Sequence, residues 1–201
     1  MKHAAIGFRV HSGWAVMVAV SLESGEPRVL LRQRPHLVKR FTYEFRQPYH
    51  TAERMPFAKS RTFIARMEDE SRELAEKTVR DAQAAMRDQG FELTSLALLL
   101  ASGRALPSLD KILASHALIH TADGEHFRSA LRSAGEACGL AALEVPARDL
   151  LATASKRLGI PPKKLTAQLI ALGKPLGPPW SQDEKFATLA AWLALHRHKK
   201  A

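Results

Sequence analysis

AAIGFRVHSGWAVMVAV, residues 4–20, is the stretch whose reading decides the fold. A long apolar run rich in Val and Ile reads as a buried strand, interrupted by polar groups at Arg9, His11, Ser12 and Gly13. Such an interruption sets charge and hydroxyl beside the core of a sheet, where an α/β protein has room to build a site.

Working outward, Glu23-Ser-Gly-Glu-Pro27 is a turn, and Val29-Leu-Leu31 begins a second strand. Residues 38–46 alternate, with Phe41, Tyr43 and Phe45 on one face and Thr42, Glu44 and Arg46 on the other, which predicts a third antiparallel strand. Residues 49–62 have no period and read as an excursion. Helical spacing then runs from about Ile64 to Gln89 and stops at Gly90. Leu93 to Ser102, LTSLALLLAS, lacks both alternation and charge, the mark of a central parallel strand covered on both faces. A short helix after Pro107, a helix from Ala122 to Cys138, a strand from Leu140 to Val145 and helices over 147–158 and 162–172 follow. Gly173 to Trp180 reads as a nonhelical arm. Ser181 and Glu184 form a capping-box pattern at the start of a last helix, and residues 196–201 are a basic tail. The expected architecture is one α/β domain over 1–201. Its mixed five-stranded sheet has three antiparallel strands, then parallel ones, with helices on both faces.

Thirty Lys and Arg against twenty Asp and Glu give a net charge of +10, a balance that favours polyanions, with nucleic acid the first partner to consider. The one cysteine, Cys138, excludes a disulfide framework or a cysteine-rich zinc site. No signal-like or membrane-spanning run is read from the sequence, so the expectation is a soluble cytoplasmic protein. Neither G-x-x-x-x-G-K-[ST] nor G-x-G-x-x-G occurs, and no cofactor is expected.

The element order, together with three local patterns, resembles the ribonuclease-H-like fold and, within it, the Holliday-junction-resolvase branch. The patterns are Ile6-Gly-Phe-Arg9 followed by Ser12-Gly-Trp-Ala-Val16, the helix from Thr121 to Cys138, and the Ala-rich helix from Gln182 to Leu195. The resemblance implies a site of converging carboxylates that hold two divalent ions. Its first acid would fall at Arg9, another near Ala101 and a third near Phe186. The sequence has no acid before Glu23 and none in 93–102, leaving Asp183 and Glu184. The carboxylates therefore read as lost, and two-metal nuclease activity is not expected. The sugar-kinase and actin-like branch would need an aspartate and a Gly-rich turn that Arg9-Val-His-Ser-Gly13 does not provide.

In this fold the ends of the first and fourth strands meet beside the last helix. Arg9, His11, Ser12, Ser102, Arg104, Asp183 and Lys185 would converge there as a phosphate- or carboxylate-binding cleft. The competing reading pairs Arg9 with Asp183 as a structural ion pair in the vacated pocket. Of these residues Arg9, His11 and Asp183 are the catalytic candidates, with His50 approaching from the excursion as a base. Ser12 and His11 are not a nucleophile pair, because strand neighbours point to opposite faces. His116, His120, Asp123, Glu125 and His126 form the densest His/acid cluster. Thr121 and Gly124 are expected to break the helix between them, and acids at a capped helix start account for Asp123 and Glu125 without a metal. Arg32, Arg34, Lys39, Arg40 and Arg46 interleave with Phe41, Tyr43, Phe45 and Tyr49 as a stacking platform for nucleic acid.

The leading functional reading is a catalytically degenerate resolvase-like protein that binds nucleic acid or another phosphate-bearing ligand. The alternatives are an enzyme using His11 or His50 with Arg9 as anion clamp, and a scaffold or homo-oligomer subunit docking through the arm up to Trp180.

Overall fold

Gly13 divides the opening apolar run into two strands in the computed structural model, which describes residues 1–101 and 105–198. β1 (Lys2–His11) reverses through Ser12 and Gly13 into β2 (Trp14–Glu23), and the φ of +83° at Gly13 is one that L side chains rarely adopt. The expected single strand over 4–20 is therefore a hairpin, with Arg9 opposite Val16 and His11 opposite Trp14. Both strands are buried on both faces, so no polar alternation marks where one ends.

Ser24 and Gly25, both at positive φ, make the tight two-residue turn into β3 (Glu26–Gln33), antiparallel to β2. This is the third antiparallel strand, which corrects the assignment of residues 38–46. That segment is a loop ending in α1 (Tyr43–Arg46), followed by α2 (Pro48–Ala52). A single bridge, Trp14 to His36, and a bond from the Leu37 amide to the Gly13 carbonyl (2.8 Å) hold the loop against the β1–β2 turn.

α3 (Phe57–Asp88) starts at Phe57, directly after Pro56, instead of at Ile64. Met67, Ser71, Ala75, Val79, Ala82 and Met86 recur every three or four residues on its buried stripe. β4 (Phe91–Leu100) lies parallel between β1 and β5 (Ala141–Pro146), giving the order β3-β2-β1-β4-β5. α4 (Leu109–Leu113) and α5 (His116–Ala137) follow β4. α6 (Leu150–Leu158), α7 (Pro162–Gly173) and α8 (Gln182–His198) follow β5, and α8 carries the helix into the expected tail. Among the described residues no helix is long and apolar enough to cross a membrane.

The sheet separates two cores. Ile6, Phe8, Met17, Leu96 and Leu98 face α3 and α5 with Met86, Phe127 and Leu131. Ala5, Val16, Val18, Ala97 and Leu99 face α8 and α6. By strand alternation Gly7, Arg9 and His11 share the α8 side with Ala5. α8 is buried all round from Ala187 to Leu195, which fits a helix held between the sheet and α6.

The expected arm, residues 173–180, closes on its own fold. Lys174–Leu176 forms a 3-10 turn, and the Trp180 indole donates to the Leu169 carbonyl (2.8 Å). Arg32 donates to the carbonyls of Leu176 (3.2 Å), Gly177 (2.9 Å) and Pro179.

Between α3 and α5, His126 Nε2 is 2.9 Å from the Ser71 hydroxyl, and burial lowers its pKa from 6.5 to about 4. The folded state thus resists a proton that the unfolded chain accepts. Stability from this group is complete above about 6.5 and drains away as pH falls toward 4, by up to about 3 kcal/mol. Thermal unfolding of the native protein is expected to lose more between pH 7 and pH 4.5 than that of His126→Gln.

Candidate functional site

β1 and α8 build a charged cluster at one end of the sheet. The β1 alternation aims Arg9 and His11 at the first turn of α8, and Ser181 fixes that turn. The Ser181 hydroxyl accepts from the Asp183 amide (3.2 Å), and the Ser181 amide donates to Glu184 Oε2 (2.8 Å), the reciprocal pair of a capping box. Asp183 then receives Arg9 and His11. Arg9 Nε is 3.5 Å from Oδ1, and His11 Nε2 donates to Oδ2 at 3.0 Å. Arg9 Nε is shielded from solvent and makes no hydrogen bond among the described residues, so Asp183 engages it as an ion pair only. The His11 ring stacks on Trp14 with centroids 4.4 Å apart, and the Arg34 guanidinium covers the indole at 5.5 Å.

Arg34 also reaches Glu184 Oε1, through Nη2 at 2.6 Å and Nε at 3.2 Å. Glu184 is fully buried. Burial would raise its pKa, but the bonds from Ser181 and Arg34 outweigh that cost and hold it near 2. Neighbouring carboxylates thus take different jobs: Glu184 is locked into structure, while Asp183 stays at the half-buried surface of the cleft.

Of the expected cleft residues, Arg9, His11 and Asp183 come together. Ser12 lies in the adjoining turn and contributes its carbonyl, to Arg46 Nε at 3.2 Å. Lys185 sits two positions beyond Asp183, roughly 200° round the helix, and so does not share its face. Ser102 and Arg104 lie outside the described residues. His50 is elsewhere, in α2, beside α5.

The basic and aromatic residues divide between structural and solvent-facing roles. Arg32 is spent on the three arm carbonyls and Arg34 on Glu184. Tyr49 is buried, its hydroxyl donates to Glu68 (3.1 Å), and burial raises its pKa, so it offers no stacking face. Phe41 and Tyr43 are 47% and 57% exposed on the loop that packs against the β1–β2 turn. Arg46 covers Phe41 at 4.6 Å, His36 stacks on the same ring at 4.7 Å, and Arg40 lies 5.9 Å from Phe45. Lys39 makes only a solvent-exposed pair with Glu73 at 3.5 Å. Phe41 and Tyr43 with their neighbouring cations therefore lie beside the cluster, on a loop and the start of α1 in place of the expected strand.

Sequence reasoning missed the grouping around His50. α5 is continuous through Thr121 and Gly124, which corrects the expected break. Its packing against α3 and α4 buries Ile119, Ala122 and Phe127, and that burial outweighs the poor helix propensity of Thr and Gly. One ring nitrogen from each of His50, His116 and His120 then lies within 4.8 Å of the other two. The one-turn spacing of His116 and His120 was the available signal.

A mixed sheet of order β3-β2-β1-β4-β5, with α3 and α5 on one face and α8 on the other, is a ribonuclease-H-like fold. RuvC from T. thermophilus in complex with a Holliday junction substrate is similar over 99% of this chain and 96% of its own, with a TM-score of 0.58 and 8% identity. A second Thermus thermophilus RuvC structure gives 0.53 at 8% identity over 98% and 96% of the two chains. The yeast mitochondrial Holliday junction resolvase Ydc2 gives 0.52 at 10% identity over 99% and 81%. No family model matches the sequence, and no curated protein matches it.

Proposed function

We propose that this protein binds nucleic acid, branched DNA first among the candidates, through the 36–46 loop and the Arg9/His11/Asp183 cluster, without two-metal hydrolysis of the backbone. The exposed Phe41 and Tyr43, set among Arg40, Arg46 and Lys39 beside the end of β1, carry this reading. Aromatic faces stack on bases, and the surrounding cations supply phosphate contacts. The resolvase-like neighbours add branched DNA to the substrates to be tried.

The noncatalytic half rests on which groups occupy the sheet end. Two divalent ions need several oxygen ligands converging on one place. Here β1 presents Arg9 and His11, the sequence from 93 to 102 carries no acid, and Asp183 is already engaged by both side chains.

Fluorescence anisotropy with single-stranded, duplex and four-way-junction DNA across a salt series tests the binding. Affinity is expected to fall steeply with salt. Phe41→Ala with Tyr43→Ala should weaken it about tenfold or more, while Arg40→Ala should lower the salt slope by about one. DNA recovered after incubation with magnesium or manganese is expected intact. Cleavage would remove the noncatalytic half of the proposal, and absence of binding at moderate salt would remove the whole.

A further inference from the structure

We propose that His50, His116 and His120 form a binding site for a divalent transition-metal ion of the zinc class, held in its working geometry by Asp123. The site lies where α2 meets the start of α5, apart from the Arg9/Asp183 cluster.

His116, His120 and Asp123 stand at i, i+4 and i+7 of one helix and so share one face. His116 Nε2 and His120 Nε2 are 3.1 Å apart, close to the roughly 3.3 Å edge of a tetrahedron whose metal–nitrogen bonds are about 2.0–2.1 Å. His50 comes from α2, its ring centroid 4.4 Å from that of His120 and 5.4 Å from that of His116. The candidate ligand nitrogens of the three rings all fall within 4.8 Å of one another, a gap that small side-chain rotations close.

Asp123 is what makes this more than three neighbouring rings. Its carboxylate is buried and accepts from His50 Nδ1 through Oδ2 and from the Tyr49 amide through Oδ1 (2.8 Å). A carboxylate that accepts a hydrogen bond from the Nδ1–H of a histidine fixes the tautomer with a lone pair on Nε2. It also supplies the compensating negative charge that metal-bound imidazoles commonly have behind them. A bare imidazole pair explains little of this. The contact between His116 and His120 is exposed to water, where a neutral hydrogen bond contributes almost nothing to folding.

Three neutral imidazoles select Zn2+, Co2+, Ni2+ or Cu2+ over Mg2+ or Ca2+, which require oxygen. His116 and His120 face solvent, so the fourth position is open to water or to a ligand atom from outside. An ion there would tie α2, and with it the end of the 36–46 loop, to α5.

The test is titration of the full chain with Zn2+ against a chromophoric chelator, alongside Co2+ read by its visible ligand-field absorption. One tightly held equivalent and a four-coordinate Co2+ spectrum are expected, with a rise in Tm on adding Zn2+. His116→Ala/His120→Ala replaces only exposed side chains and should keep the fold while losing at least 100-fold in affinity. Asp123→Asn should cost about 10- to 100-fold. Unchanged Zn2+ affinity in His116→Ala/His120→Ala overturns the site. So does loss of binding confined to His196→Ala/His198→Ala, which would place the ion on the histidines at the end of α8. Neither result depends on whether the protein binds DNA.

Discussion

Gly7→Ala should destabilise the protein by about 3 kcal/mol or more and pull Asp183 away from Arg9. At Gly7 the backbone of α8 crosses β1 so closely that an added Cβ would overlap the carbonyl oxygen of Ala187 and lie 2.9 Å from the Ala191 amide. These atoms belong to the backbone of a buried helix and cannot rotate out of the way. The helix must lift, and lifting it opens the packing of Ala5, Val18 and Ala190 while displacing the turn that carries Asp183. Urea unfolding would read the stability loss, and the His11 imidazole NMR signals would report the lost carboxylate. A variant of native stability would mean that α8 slides over β1 freely.

Arg34→Ala is expected to cost on the order of 2–3 kcal/mol at neutral pH, although Arg34 itself is part-exposed. Its partner decides the size of the effect. Glu184 is fully buried, and without Arg34 it keeps only the Ser181 bonds to offset the loss of water. The half-exposed guanidinium keeps the figure at the low end of what a broken buried pair costs. The folded pKa of about 2 lies below the usual 4.5, so Glu184 stabilises the native protein fully above about 4.5 and ceases to do so as pH falls toward 2. The penalty of Arg34→Ala should therefore shrink on acidification, as the carboxyl protonates and no longer needs its partner. Arg34→Met combined with Glu184→Gln should recover much of the loss. A penalty independent of pH would show that Arg34 acts through its contact with Trp14 instead.

The sequence carried the parallel β4 and the capping box at Ser181 because each rests on a local signal, an uncharged run or a Ser three residues before a Glu, whereas the total of five strands agrees because the division of residues 4–20 into two strands offsets the loss of the one over 38–46. It misplaced the third strand because Phe41, Tyr43 and Phe45 alternate as a strand would, yet Phe41 and Tyr43 are exposed and the segment is bonded to the β1–β2 turn instead of lying along a sheet edge. The Arg9–Asp183 contact was legible through the resemblance to the resolvase branch, since nothing local links residues 174 positions apart. The His50 grouping stayed hidden for the opposite reason. Its helix spacing was in view, but Thr121 and Gly124 argued for a break that tertiary packing overrides.

α8 covers β1 and β2 although it lies some 170 residues further along the chain. During synthesis the hairpin, α3 and β4 emerge long before that cover exists. A ribosome that has not reached Gln182 therefore holds a sheet with one oily side bare: Val16, Val18, Val20, Ala97 and Leu99 wait for a helix not yet made. The segment that seals this core is also the one that carries Asp183.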